Sequence, residues 1–337
     1  MKTFFRYAAI GVGVLLIGVA GLLAYVKFGM VAVNIGPAPK LNVKATQGQI
    51  DRGRYLVNHV SICLDCHSSR DWTKFSGPPI PGTLGMGGYR FGREAGAPGN
   101  IYSRNITPTG LGNWTDGEIF RAITEGVSKE GRALFPIMPH PHYGKMDRND
   151  IEAIIAYLRT LKPIENKVPD TELDFPLNFI VNTIPQKANF QQRPDTTNPA
   201  ALGAYLVNAA ACVHCHTQSK DGKPVPGMNL AGGVTMKLPF GTLQSANLTP
   251  DPETGLGLWT KEAFIARFKA HDPGRGNLPH TVKPGERQVI MPWSMYAGMS
   301  ETDLGAIYAY LRTLKPVKNR TVAFVPPTPA RPEQARK

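Results

Sequence analysis

The chain has 337 residues and a formal net charge of +13, and it contains Gly 35 and Pro 30. Residues 1–47 carry five basic and no acidic side chains, and the tail from residue 319 adds a net +3, so more than half of the excess lies at the two ends. No basic stripe interleaved with aromatic residues is present, which argues against nucleic-acid binding. The length predicts about two domains, and the glycine and proline content predicts long loops.

Two basic residues, Lys2 and Arg6, precede an uncharged apolar run over residues 7–26. A run of this length can cross a bilayer as a helix. A cleaved signal peptide is the alternative, but its apolar core is shorter and ends at a small-x-small site, which this run lacks. We therefore expect residues 1–47 to hold an uncleaved membrane anchor and a linker. Under the positive-inside rule the anchor lies in a bacterial cytoplasmic membrane, with the rest of the chain on the periplasmic side.

From about residue 48 the chain repeats itself, which predicts one fold used twice. The paired segments are Gly53–Asn58 with Gly203–Asn208, Asn105–Pro108 with Asn247–Pro250, Ile137–Pro139 with Ile290–Pro292, and Ala156–Pro163 with Ala309–Pro316. We predict a first domain over residues 48–165 and a second over residues 198–318, joined by a linker over residues 166–197. These two stretches, 48–165 and 198–318, are called the first and the second repeat below.

Each repeat contains a Cys-x-x-Cys-His motif near its start. The two motifs are Cys63-Leu-Asp-Cys66-His67 and Cys212-Val-His-Cys215-His216. Two cysteines three residues apart lie on one side of a helical turn, and the histidine that follows can bind iron, which is the signature of covalent c-type haem attachment. Zinc ribbons and thioredoxin-like sites also use Cys-x-x-Cys, but they do not explain the repeated histidine. We predict two covalently bound haem c groups, with His67 and His216 as iron ligands.

The second ligand of each iron is predicted to be a methionine, Met138 or Met291, because each stands in a repeated Ile-Met-Pro segment. A thioether is a soft ligand that favours reduced iron. Most of the other methionines are expected to fill the core. Met146 and Met299 also repeat, but they stand at helix starts, where a capping or packing role is sufficient. Four histidines without counterparts in the other repeat are weaker alternatives. They are His140, His142, His271 and His280.

The histidine that binds iron needs a partner for its other ring nitrogen, commonly a backbone carbonyl. We expect that carbonyl in the turn at residues 77–78 of the first repeat and in residues 224–226 of the second. Asn105 and Asn247 each begin a sequence that matches a glycosylation site, but their repetition inside the fold predicts a loop structure instead.

Each repeat is predicted to end in an amphipathic helix. Ser300 and Asp303 form a capping box before the second helix, Asp147 precedes the first, and the Pro163 and Pro316 positions should end them. The apolar stripes are Ile151, Ile154, Ile155, Leu158 and Leu161 in the first, and Leu304, Ile307, Tyr308, Leu311 and Leu314 in the second. The Gly-x-Tyr-Leu-Val segments should be short helices that lead into the cysteine motifs. Strand signals are scarce, so the predicted fold class is mostly α with long irregular loops.

The segments outside the repeats differ in character. Residues 166–197 include a cluster of apolar side chains that a flexible linker would not carry, so we expect them to pack between the domains. The tail over residues 319–337 is rich in proline and is predicted to be extended.

These motifs together resemble a tandem class I cytochrome c fold, and more closely the multihaem cytochrome c subunits of membrane-bound alcohol, aldehyde and gluconate dehydrogenases. The resemblance covers residues 48–318 and includes the Gly-Gly pairs at 87–88 and 232–233, Asn-x-Thr-Pro followed by Gly-x-Gly-x-Trp, and the Met-Pro segment before the closing helix. It implies two class I cytochrome c-like domains behind an N-terminal transmembrane helix, with Met138 and Met291 as distal ligands. Those subunits usually carry three haem domains, whereas this sequence has two motifs.

The resemblance implies a membrane-anchored dihaem cytochrome that is an electron-transfer protein and not an enzyme, without catalytic residues. It would take electrons from a membrane dehydrogenase or a quinol-oxidising complex and pass them to a respiratory acceptor such as an oxidase or a soluble cytochrome. The alternative is a dihaem redox enzyme of the peroxidase or thiosulfate dehydrogenase type, with one catalytic haem. A methionine available in both repeats and the absence of a spare cysteine favour the carrier.

Overall fold

The computed structural model describes residues 1–220 and 222–327, and it confirms the prediction of a mostly helical chain. The α-helices are α1 Lys2–Ala24, α2 Met30–Asn34, α3 Gln47–Tyr55, α4 Cys63–Cys66, α5 Pro108–Leu111, α6 Asp116–Glu125, α7 His140–Tyr143, α8 Arg148–Leu158, α9 Leu177–Ile180, α10 Pro199–Ala209, α11 Cys212–His216, α12 Lys261–Lys269, α13 Trp293–Tyr296 and α14 Glu301–Leu311. Short π-helical segments follow α1 and α3, at Tyr25–Gly29 and Leu56–Val60, and 3₁₀ turns lie at Arg93–Ala95, Val181–Thr183 and Pro273–Arg275.

The N-terminal helix runs continuously over Lys2–Asn34 and contains the predicted span. Its most apolar stretch has a mean hydropathy of 2.4, and none of that stretch is buried within the protein. By length and composition this helix could cross a membrane, and a signal sequence shares the same properties. The residues that follow it are held by the first repeat, because Arg121 donates to the Gly36 carbonyl (3.0 Å) and Asp116 accepts from the Val43 backbone (2.9 Å).

The opening and closing helices of each repeat pack directly on one another, α3 on α8 and α10 on α14. The predicted caps Asp147 and Ser300 accept from backbone N–H groups of the first turns. The capping box of Ser300 with Asp303 is only half formed, because the Ser300 N–H donates to the Tyr55 hydroxyl and not to Asp303. The helices end at Leu158 and Leu311, so the prediction that Pro163 and Pro316 end them was wrong. An i→i+3 turn follows the first of these helices before the chain reaches Pro163. In this turn, Leu161 N donates to the Leu158 carbonyl (3.3 Å).

A single cluster of buried apolar residues joins the helices of both repeats. Its fully buried members include Leu56, Leu64, Ile151, Ile154, Ile155, Leu206, Leu230, Leu304 and Leu311. Burying a leucine or isoleucine side chain stabilises the fold by about 1.5–3 kcal/mol. The predicted stripes of the closing helices supply much of this cluster.

The described strands are short and pair into small antiparallel sheets outside the helical core. They are β1 Arg90–Phe91, β2 Gly99–Tyr102, β3 Glu172–Leu173, β4 Ser219–Lys220, β5 Lys223–Pro224, β6 Thr235–Leu238 and β7 Gly241–Gln244. The tail leaves the second repeat along β7, where Thr242 and Val325 exchange backbone hydrogen bonds of 2.8 Å. The rest of the predicted tail, residues 328–337, lies outside the described residues.

The stretch between the repeats packs on the first repeat and on the N-terminal helix. Its β3 pairs with β2, Asn178 accepts from Lys27 through its carbonyl (3.2 Å), and Phe175 is 80% exposed. The prediction that this apolar cluster packs between the domains was therefore wrong. Apolar composition showed that the stretch is packed, but it carried no signal for the surface that it covers.

The two repeats contact each other through reciprocal tyrosines. Tyr55 donates to Asp303 (2.5 Å) and accepts from the Ser300 backbone (3.0 Å). Tyr205 donates to Asp150 (2.6 Å) and accepts from the Asp147 backbone (3.1 Å). Each repeat thus completes the N-terminus of the closing helix of the other.

Candidate haem sites

Both Cys-x-x-Cys-His motifs form a single helical turn, α4 or α11, entered through an unusual backbone conformation. The residue before the first cysteine is left-handed in each repeat, Ile62 with φ 44° and Ala211 with φ 49°. A non-glycine residue in this region costs about 1–3 kcal/mol, and such strain is concentrated at functional sites. Its recurrence shows that the two motifs share one local geometry.

The motif histidines are oriented by backbone carbonyls. Nδ1 of His67 lies 2.6 Å from the Arg104 carbonyl oxygen, and Nδ1 of His216 lies 2.8 Å from that of Ala246. A carbonyl only accepts, so Nδ1 carries the proton and Nε2 keeps a lone pair for a metal. Burial lowers the pKa of both imidazoles, which keeps them neutral.

The expectation of a carbonyl partner for each histidine is confirmed, but the expected positions were wrong. In the first repeat the Gly77 carbonyl instead accepts from Arg70 (2.7 Å). In the second repeat, the Val225 carbonyl instead accepts from Met228 N (3.1 Å).

The Gly-Gly pairs explain how the carbonyls reach the histidines. Gly87 N donates to the His67 carbonyl (2.9 Å), and Gly232 N donates to that of His216 (2.8 Å). Both glycines have positive φ, and a Cβ would lie 2.4 Å from backbone atoms of Arg104 or Ala246. Only glycine therefore fits where the motif approaches the segment that supplies the carbonyl.

The predicted distal residues Met138 and Met291 lie on loops that are fixed to the motifs. Five residues after each methionine, Tyr143 donates to the Ser61 carbonyl (3.1 Å) and Tyr296 donates to the Ala210 carbonyl (3.0 Å). Those carbonyls precede the first motif cysteine by two residues in both repeats. These tyrosines were not predicted to have such a role, although their common offset from the methionine was a usable signal.

A cavity of about 1880 Å³ brings together every predicted site residue of both repeats. They are Cys63, Cys66, His67, Met138, Cys212, Cys215, His216 and Met291. Ordinary ligand sites occupy about 300–1,000 Å³, so this volume suits two large groups. Burial raises the pKa of the Cys63, Cys66 and Cys212 thiols to about 12, as expected for apolar surroundings. The residues present fit a macrocycle bonded to two cysteines and held between histidine and methionine.

Comparison with known proteins agrees with this geometry. Residues 200–315 match the protein family described as Cytochrome c. The chain carries a cytochrome c domain. Such a domain implies covalently bound haem c.

The chain is also similar along most of its length to cytochrome c subunits of dehydrogenases, which confirms the resemblance found in the sequence. It is 28% identical over 305 residues to the cytochrome c subunit of a quinone alcohol dehydrogenase from Gluconobacter oxydans, covering 86% of this chain and 59% of the relative. It is 29% identical to the fructose dehydrogenase cytochrome subunit of Gluconobacter japonicus, covering 86% and 58%. It is 28% identical to the gluconate 2-dehydrogenase cytochrome c subunit of Pantoea cypripedii, covering 80% and 60%. The chain thus spans less than two-thirds of these relatives.

The four histidines and Met146, which were weighed against Met138 and Met291, lie away from the cavity of this cytochrome c-like chain. Met146 is fully buried in the core near Ser61 (3.9 Å), as its predicted packing role requires. Met299 is also buried, but it lines the cavity. Within the described residues, the cavity lining does not include the four histidines weighed as substitutes, and His142 instead lies 3.0 Å from Asn208. Asn105 and Asn247 are buried and accept from Thr107 and Thr249, which confirms the predicted loop role.

Proposed function

We propose that this protein is a dihaem c-type electron carrier built from two tandem class I cytochrome c-like domains, residues 48–165 and 198–318. One haem c binds through Cys63, Cys66, His67 and Met138, and the other through Cys212, Cys215, His216 and Met291. The observation that carries the proposal is the recurrence of this residue set around one cavity, with the same carbonyl partner for each histidine.

When bound, each haem iron supplies a one-electron couple. The protein's part is to fix the imidazole in one tautomer, to offer a thioether that favours the reduced iron, and to exclude water with apolar walls. With a histidine and a methionine at each iron, no position is left for a substrate. This favours a carrier over the alternative of a dihaem peroxidase or thiosulfate dehydrogenase, in which one iron must be open.

The proposed partners follow from the relatives, whose names describe subunits of alcohol, fructose and gluconate dehydrogenases. We infer that a membrane dehydrogenase or a quinol-oxidising complex supplies the electrons. A respiratory acceptor, such as an oxidase or a soluble cytochrome, would receive them.

The N-terminal helix is proposed to hold the protein in the cytoplasmic membrane, with both haem domains on the periplasmic side. The apolar surface of Lys2–Asn34 supports this, since its most hydrophobic stretch packs against nothing in the described chain. Fractionation of cells followed by N-terminal sequencing tests it. We expect membrane-bound protein that retains residues 7–26. Soluble protein that starts near residue 30 would identify a signal sequence instead.

Haem content and coordination test the carrier function. We expect two haems per chain in a pyridine haemochrome assay, and one haem after Cys63→Ala with Cys66→Ala. The oxidised protein should be low-spin with the near-infrared band of an iron–thioether bond. Met138→His and Met291→His should each remove part of that band and lower the potential of one haem, because imidazole stabilises ferric iron better than a thioether does.

The matched control is Met146, a buried methionine that does not line the cavity. Met146→Leu conserves volume and should leave both haem potentials unchanged. A high-spin haem that binds cyanide rapidly in the intact protein would contradict the carrier function and favour the enzyme.

A further inference from the structure

A loop of the first repeat, residues 70–77, reaches the segment of the second repeat that carries Met291. Ser76 lies at the point of contact, 2% exposed and with φ 69°. Its hydroxyl donates to the Met291 carbonyl and accepts from the Trp293 backbone N–H (3.0 Å). One side chain of the first repeat therefore binds backbone on both sides of Pro292.

Gln288 of the second repeat forms hydrogen bonds with the backbone of the same loop. Its side chain is 1% exposed. Its Oε1 accepts from Ser76 N (2.8 Å), and its Nε2 donates to the carbonyls of Trp72 (3.1 Å) and Lys74 (2.9 Å). Phe75 N also donates to the His280 carbonyl (2.9 Å). Ser76 and Gln288 are both buried, so loss of the bond between them would leave an unsatisfied polar group.

The other end of the loop is held by the first cysteine motif. Arg70 forms an ion pair with Asp65 (2.9 Å), which stands between Cys63 and Cys66, and both side chains are less than a tenth exposed. The same guanidinium donates to the carbonyls of Ser76 (2.8 Å) and Gly77 (2.7 Å). An ion pair and the hydrogen bonds of the loop thus connect the first motif to the backbone of Met291.

The first repeat contacts the methionine segment of the second repeat, but the reverse contact is not made among the described residues. Both methionine carbonyls accept within their own repeat, Met138 from His140 N (2.7 Å) and Met291 from Trp293 N (2.8 Å), and the bonds to Ser76 are additional. Among the described residues, no hydrogen bond from the second repeat reaches residues 137–139. The two methionine loops are therefore supported differently, although their sequences repeat.

We propose that Ser76 is a positioning residue for the distal ligand of the second haem, so that the first repeat sets how firmly Met291 is held. This rests on the proposed function, in which Met291 binds iron. Ser76 fixes the backbone on which Met291 stands, so its loss makes the thioether easier to displace. The Met138 bond does not depend on the second repeat in this way.

The test is the displacement of methionine by imidazole in the full-length protein with both haems. Ser76→Ala and Ser76→Gly should each strengthen imidazole binding at the second haem about tenfold, the factor that one buried hydrogen bond is worth. Glycine suits the positive φ, so the second variant removes the hydroxyl without adding backbone strain. The two haems are told apart by the spectra of Met138→His and Met291→His.

The matched control is Thr73→Ala in the same loop, because within the described part of the chain the Thr73 hydroxyl bonds only to Asp71 of that loop (2.5 Å). It should leave imidazole binding unchanged. If the Ser76 variants bind imidazole like the wild type while the thioether band of Met291 is present, the positioning role is wrong and the carrier function stands. Equal loosening of both haems would also overturn it, as a sign of general destabilisation. Absence of a Met291 thioether band in the wild type would refute the ligand itself.

Discussion

At the scale of single residues, each candidate haem site depends on a close approach between two backbone segments. Gly87 and Gly232 lie against the segments of Arg104 and Ala246, whose carbonyls accept from the motif histidines. These glycines thus allow a neighbouring segment of the same chain to orient the imidazole. A side chain there would move the carbonyl away from the histidine.

Gly87→Ala and Gly232→Ala should therefore weaken both folding and imidazole orientation. The added Cβ would stand 2.4 Å from backbone atoms, in a left-handed conformation that alone costs about 1–2 kcal/mol. We expect at least about twice that loss in the free energy of unfolding, with a shifted potential for the haem of the same repeat. Denaturant unfolding and redox titration measure the two effects.

Gly82→Ala and Gly227→Ala are the controls, because both positions have positive φ and open space around the Cβ. They should lose only the conformational strain and keep the wild-type potentials. Equal losses at all four positions would show that close approach is unimportant.

The sequence predicted the site residues in the motifs but not the groups that orient them. The cysteines, histidines and methionines could be predicted because haem chemistry requires particular side chains at particular spacings. The carbonyl acceptors lie 37 and 30 residues from their histidines, and every residue has a carbonyl, so composition could not single them out. The glycine pairs were noticed as part of the resemblance, and their physical reason needed the structure.

At the scale of elements, the helices were predictable because caps and apolar periodicity are local. Asp147 and Ser300 begin the closing helices as their side chains predict. The helix ends were not predictable from Pro163 and Pro316, since an i→i+3 turn satisfies the last carbonyls several residues earlier. The packing of residues 166–197 was not predictable either, because the surface that they cover is formed by distant parts of the chain.

The crossing of the opening and closing helices gives a prediction about packing. A Cβ at Gly53 or Gly203 would stand 1.9 Å from the carbonyl oxygen of Ala153 or Ala306. Gly53→Ala and Gly203→Ala should force the helices apart and lower the free energy of unfolding by about 2–4 kcal/mol. Thermal unfolding of the protein with both haems measures this.

Gly48→Ala is the matched control within the same helix as Gly53, because nothing lies within 4 Å of its Cβ position. Alanine is the better helix former, so this change should be neutral or stabilise by up to about 1 kcal/mol. Wild-type stability in Gly53→Ala would contradict the close crossing.

At the scale of the whole molecule, the repeats meet through contacts that could not be inferred from either repeat alone. Tyr55 and Tyr205 belong to opening helices, and their hydroxyls bind Asp303 and Asp150 across the interface. Burial raises the pKa of both phenols, so they stay protonated and donate. The sequence showed the tyrosines as repeated residues but carried no sign that their partners lie in the opposite repeat.

The reciprocal tyrosines bear on the direction of electron transfer in the proposed carrier. Each repeat donates a tyrosine hydrogen bond to the other and accepts one from it, as the subunits of a two-fold symmetric dimer do. The two ends of such a pair are equivalent. A relay needs unequal ends, because one must accept from the donor and the other must deliver to the acceptor. The loop that joins Ser76 to the Met291 segment breaks this equality. In the proposed carrier, this loop is therefore one of the features that give the two haem sites different surroundings.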